Sequence, residues 1–100
     1  MFLVFIKMRV RPEKRKELLQ TLQSIVARMK KENGCVDSNF YQDTENENNI
    51  VLIEEWETRK TWDDHLRSDI FMILMGAGSL LSRPPEIMIH MVSHSAELEA

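Results

Sequence analysis

Residues Asn49 to Leu66 read NIVLIEEWETRKTWDDHL, and the change of pattern inside this stretch decides the fold. Ile50-Val51-Leu52-Ile53 is a short apolar run rich in β-branched side chains, which predicts a strand over 50–57. Thr58 is a natural N-cap, and Trp62, His65 and Leu66 follow at helical spacing, which predicts a short helix over 59–66. A strand ending in Glu54, Glu55 and Trp56 thus passes directly into a helix that carries an imidazole. Acid, indole and base side chains meet at one corner, and no other part of the chain combines them.

On the N-terminal side, Phe2, Val4, Ile6, Met8 and Val10 make one face of a strand apolar throughout. The other face begins apolar with Leu3 and Phe5 and turns charged at Lys7 and Arg9. Pro12 suits a first helical position, where its missing N–H costs nothing. Leu18, Leu22, Ile25 and Met29, widened by Leu19 and Val26, give the apolar stripe of a helix over 13–32. Lys30-Lys31 complement its negative end, and Gly34 is the expected residue just past it. A weaker strand, 36–43, carries Phe40 and Tyr41 and is joined to the central strand by the polar loop 44–49.

On the C-terminal side, Ser68 caps an apolar segment broken by Gly76 and Gly78, an irregular helix over 69–81 stopped by Pro84-Pro85. A last strand, 86–93, is largely apolar on both faces, and a tail over 95–100 should fray. The order β-α-β-β-α-β predicts one α+β domain over 1–94, ferredoxin-like, with a four-stranded antiparallel sheet and helices on one face. Helices on one face leave the apolar second faces of the outer segments uncovered. A second copy of the sheet is the simplest cover, so the expected assembly is a homodimer whose two sheets face each other.

One hundred residues with a net charge of −3 offer no field for nucleic acid or an anionic membrane. Lys14-Arg15-Lys16 lies between Glu13 and Glu17 and reads as a solvated helix face. Cys35 is the single cysteine, which points to a reducing compartment and, after Gly34, to a buried small hydrophobe. The opening MFLVFIKMRV has no basic leader or cleavage site and is too short to span a bilayer, so the expected location is the cytoplasm.

Spacing argues against a metal. His90 and His94 in a strand would stand about 13 Å apart, and adjacent Glu54 and Glu55 point to opposite sides of theirs. The GAGS segment follows no strand and lacks a phosphate-binding ending, and no nucleophile elbow is present. Two readings of the opening stretch remain. On a purely structural one, Trp56 and Trp62 are core aromatics, Glu55 pairs with a cation, and His65 is half-exposed. On a functional one, His65 faces an aromatic pocket, where a neutral imidazole removes a proton from a phenol or carbon acid.

An apolar strand, Glu55-Trp56, a few polar residues and then His65-Leu66 resemble the antibiotic biosynthesis monooxygenase (ABM) family. The Asn33-Gly34-Cys35 junction adds to the likeness, which covers about residues 2–92. The resemblance implies a dimeric α+β barrel. Several members oxygenate anthrones or hydroquinones with O2 and no flavin, metal or other cofactor; others degrade heme, or process small signalling molecules. His65, Glu55 and Trp56 match the family's helix histidine and strand-end pair. The histidine common five residues later is Ile70 here. The Asn and Tyr of the anthrone-oxidising members fall on Leu52 and Trp62, and the Asn, Trp and His of the heme-degrading ones on Ile6, His65 and Met75.

The leading expectation is therefore a cofactor-independent monooxygenase of a small aromatic, quinol- or anthrone-like. His65 is the base, Trp56 a pocket wall and Glu55 an orienting or dimer-anchoring group, with Tyr41, Trp62 and Phe71 lining the substrate. A non-oxidative isomerase of a small carbonyl compound and a non-catalytic small-molecule-binding module are the alternatives. Anaerobic turnover separates the first from the oxygenase, and saturable binding without product identifies the second.

Overall fold

The structure, a computed structural model, describes residues 1–99. Its strands are β1 (Phe2–Arg9), β2 (Cys35–Gln42), β3 (Asn49–Trp56) and β4 (Glu86–Met91). Its helices are α1 (Arg15–Met29), α2 (Arg59–His65) and α3 (Asp69–Gly76). The sheet is antiparallel in the order β2-β3-β1-β4, as the β-α-β-β-α-β reading requires. Beyond Met91 no regular element forms through Glu99, and Ala100, the end of the expected tail, lies outside the described residues.

Alternation on the two central strands sets the two faces. Val4, Ile6 and Met8 of β1 and Ile50, Leu52, Glu54 and Trp56 of β3 are buried against the helices. They pack with Leu18, Leu22, Ile25, Val26 and Met29 of α1 and with Ile70 and Leu74 of α3. Burial of each such side chain is worth about 1.5–3 kcal/mol, so this single layer carries most of the stability. The opposite face presents Leu3, Phe5, Val51, Ile53 and Glu55, all half-buried, with no helix or strand of the described residues over it.

Both ends of α1 differ from expectation. Pro12–Lys14 form a 3-10 turn before α1, and α1 ends at Met29 rather than 32. The chain then winds through residues 30–34, with Glu32 N donating to Met29 O and Cys35 N to Glu32 O. Gly34 is in the left-handed region (φ +83°), where a side chain is strained. The second helical region divides as its glycines suggest, α3 running into a 3-10 turn over Ala77–Leu80. The expectation that β4 is covered on both faces is not met within one chain. Ile87, Met88, Ile89 and Met91 are all exposed, because the helices pack over β3 and β1 and stop short of this edge.

Candidate active site

The corner where β3 passes into α2 is built by local hydrogen bonds. Thr61 N donates to Thr58 Oγ1 and Thr58 N to Thr61 Oγ1, a reciprocal cap that starts α2 at Arg59, three residues after the last residue of β3. Glu57 N donates to Gly34 O at 2.8 Å, tying this corner to the winding segment after α1. Trp62 and His65, three apart on one side of α2, then face inward, and both are buried. Ser68 caps α3 by accepting from Phe71 N, and its hydroxyl lies 3.5 Å from His65 Nδ1.

His65 is enclosed by rings. Trp56 stacks on it at 4.5 Å between centroids, Trp62 lies tilted at 5.7 Å, and Phe71 meets it edge-on at 5.6 Å. Its polar partners come from two distant segments. Nδ1 is 2.6 Å from Glu32 Oε2, and Nε2 is 3.5 Å from Glu54 Oε1. A glutamate carboxylate only accepts, so Glu32 fixes the proton on Nδ1 and leaves the Nε2 lone pair directed toward Glu54. Trp56 Nε1 donates to the same Glu54 oxygen at 2.9 Å. Among the described residues, Glu54 Oε2 and His65 Nε2, both buried, have no hydrogen-bond partner.

Burial in this apolar shell shapes the proton affinities. Desolvation pushes Glu54 up to about 7, against the Trp56 hydrogen bond and with help from the Glu32 charge. Desolvation also lowers His65, opposed by the charge and hydrogen bond of Glu32. The pair therefore favours a neutral imidazole beside a carboxyl that exchanges its proton near neutral pH. The Cys35 thiol nearby is raised to about 11 by burial and by Glu54 and Glu32, so it stays protonated rather than nucleophilic. The carboxylates stand at opposite nitrogens of one ring and do not converge. Among the described residues no group of three or more His, Cys, Asp or Glu is placed to hold a metal ion.

Of the residues singled out from the sequence, Trp56, Trp62, His65 and Phe71 come together. His65 is 2% exposed, not half-exposed. Glu55 and Tyr41 lie elsewhere. Glu55 pairs with Leu3 and Asp37 on the uncovered sheet face, one strand position out of phase with Trp56. Tyr41, 52% exposed, lines a hollow of about 430 Å3 on that same face with Phe5, Lys7, Arg83 and Glu86. Sequence reasoning missed Glu54 and Glu32. The period of two along β3 was a signal for Glu54, which must share a face with Trp56. A second hollow, of about 180 Å3, opens beside His65 and is lined by Glu32, Asn33, Trp56, Thr61 and Asp64.

Comparison with known proteins gives one consistent result. The family model described as antibiotic biosynthesis monooxygenase matches residues 1–72. The candidate monooxygenase YcnE of Bacillus subtilis is 30% identical over 81 residues, covering 80% of this chain and 85% of YcnE. The uncharacterized protein sll1783 of Synechocystis is 28% identical over 91 residues, 90% of this chain; the match spans 62% of that relative's length. A crystal structure of a conserved protein from Methanosarcina mazei superposes with a TM-score of 0.84 at 34% identity, covering 89% of each chain. Among the described residues no helix is long and apolar enough to cross a membrane.

Proposed function

The chain belongs to the antibiotic biosynthesis monooxygenase family, and from that premise we propose that it oxygenates a small electron-rich aromatic, of quinol or anthrone type, with O2 and without a cofactor. His65 is the base. The observation that carries this reading is the ring's setting: Nδ1 held by Glu32, Nε2 unpartnered among the described residues, and three aromatic rings packed around it. A base so oriented removes a proton from a phenol or an activated C–H, and the resulting anion is electron-rich enough to reduce O2 itself. Carbon–oxygen bond formation gives a hydroperoxide, which loses water to leave one oxygen atom as a carbonyl. Trp56 holds the ring's stacked face, and Trp62 and Phe71 complete the dry wall. The hollow of about 180 Å3 beside the ring is below the roughly 300–1,000 Å3 of drug-sized sites, which favours a small substrate.

The working unit in this proposal is a homodimer. The half-buried apolar face of Leu3, Phe5, Val51 and Ile53, continued by the exposed Met88 and His90 of β4, supplies the surface for a second copy. Glu55 and Tyr41 lie on that side of the sheet, which suits them to the contact between copies rather than to the chemistry around His65. The single cysteine, with its thiol held protonated, suits the reducing cytoplasm.

The test is oxygen uptake by the purified protein against a panel of hydroquinones and anthrones, beside His65→Ala. Uptake above autoxidation that disappears in the variant supports the reading; uptake retained in a folded His65→Ala removes His65 from the mechanism. The isomerase reading is favoured by one observation, that two proton-carrying groups stand side by side at Nε2 and Glu54. Turnover of a small carbonyl compound without O2 would select it.

A further inference from the structure

Glu54 sits in the sheet layer that packs on the core, and its side chain has no exposure to solvent. Buried carboxyls are rarely left half-satisfied, and an unpaired atom on one calls for an explanation. Oε1 accepts from the Trp56 indole, while Oε2 has no partner. The neighbouring unpartnered atom is His65 Nε2, the nitrogen assigned above to take the substrate's proton. The 3.5 Å between Nε2 and Oε1 exceeds a direct hydrogen bond by a few tenths of an ångström, so neither group is committed to the other. A purely structural partner for the Trp56 N–H needs only one acceptor oxygen, which a glutamine supplies equally well.

We propose that Glu54 is the catalytic acid of the site, working in tandem with His65 as base, an assignment that rests on the oxygenase reading. The proton balance closes over one turnover of a CH2 substrate. A substrate C–H breaks as His65 Nε2–H forms, and Glu32 stabilises the imidazolium. The carbanion joins O2, and Glu54 gives its proton to the outer oxygen of the resulting peroxide anion. The second C–H then breaks to return a proton to Glu54 as the O–O bond breaks. The departing hydroxide takes the proton from Nε2 and leaves as water. Substrate and O2 become carbonyl product and water, and both protein groups finish as they began. Glu32 touches neither substrate nor oxygen in this scheme and is a positioning residue.

The carboxyl's raised proton affinity fits an acid that is largely protonated up to neutral pH. The charged and titrating groups around it are Glu32 after α1, His65 on α2 and Cys35 at the start of β2, with the Trp56 N–H on its own strand.

Oxygen uptake with anthrone, across pH 5 to 9, tests the assignment in Glu54→Gln, Glu54→Asp and His65→Ala. Glu54→Gln should lose about 10²–10⁴-fold in kcat with KM little changed, and its residual rate should lack the fall on the alkaline side. Glu54→Asp should recover part of the rate and the alkaline fall. A Glu54→Gln enzyme with the wild-type rate and profile overturns the proposal while leaving His65 as base, provided His65→Ala is inactive. An active His65→Ala overturns the reading beneath it. The ligand-free protein gives an independent readout, the carbon-13 shift of the Glu54 carboxyl against pH. A midpoint well above an ordinary glutamate's is expected, and a midpoint in the ordinary range refutes the acid whether or not anthrone turns over.

Discussion

Replacing Glu54 by glutamine should raise stability at alkaline pH and leave it nearly unchanged in acid. The carboxyl is held at about 7 in the folded chain against an ordinary 4.5, so the native state binds its proton more tightly than the unfolded state does. Stability from this group is complete below pH 4.5 and drains away as the pH rises through 7, because the unfolded chain ionises first. At about 1.4 kcal/mol per pKa unit, the loss is roughly 1 kcal/mol by pH 5 and roughly 3 kcal/mol by pH 8. Glutamine keeps an acceptor for the Trp56 N–H and has nothing to ionise. The advantage of Glu54→Gln over wild type should therefore grow by about 2 kcal/mol between pH 5 and pH 8. Urea unfolding at one protein concentration, followed by tryptophan fluorescence, measures it as a divergence of the two midpoints. His65 works in the opposite sense, since its lowered affinity makes the unfolded chain the stronger proton binder below about 6.5. Removing Glu54 should thus unmask a rise in stability with pH up to that point. Equal differences at pH 5 and pH 8, within about 0.5 kcal/mol, would mean that Glu54 ionises as an ordinary surface carboxylate, and the reasoning fails.

Other consequences are equally direct. Trp56→Phe removes the N–H that favours the ionised form of Glu54, so its cost should exceed the packing loss by about 1.5–3 kcal/mol at pH 8 and by much less at pH 5, read by the same unfolding curves. Ile53→Lys places a charge in the middle of the uncovered sheet face, opposite Phe5 and Asn39, and should convert the proposed dimer to monomer by light scattering without loss of far-ultraviolet helix signal. Gly34→Ala puts a Cβ on a left-handed residue and into the side chain of Thr61, and should cost about 2 kcal/mol or more, a fall of roughly 8 °C or more in Tm.

The sequence disclosed the elements and hid the frame of the central strand. Ile50, Val51, Leu52 and Ile53 are all apolar, so alternation does not reveal which pair faces the helices, and Glu55 looked like the natural neighbour of Trp56 because it precedes it. The indole decides the frame. A buried Trp56 carries Leu52 and Ile50 inward with it, and therefore Glu54, against the general rule that carboxyls stay in water. Tyr41 fell to the far face for the same reason, being opposite Val51. Rings at helical spacing needed no such frame, and Trp62, His65 and Phe71 met as their positions on α2 and α3 implied.

Glu32 left no trace of this kind. It follows Lys30-Lys31 in a run that reads as a solvated helix end, 33 residues before the imidazole it orients. What delivers it is the backbone: α1 stops at Met29, the chain winds back, and Gly34 turns left-handed to meet the N–H of Glu57. A glycine that reads locally as a helix stop thus sets the tautomer of a histidine on another element. Gly34→Ala should accordingly do more than lower Tm. By drawing Glu32 away from Nδ1 it removes the charge that opposes desolvation, and the protonation midpoint of His65, followed by imidazole NMR shifts, should move further down. A folded Gly34→Ala with an unmoved midpoint would break the link between that turn and the base.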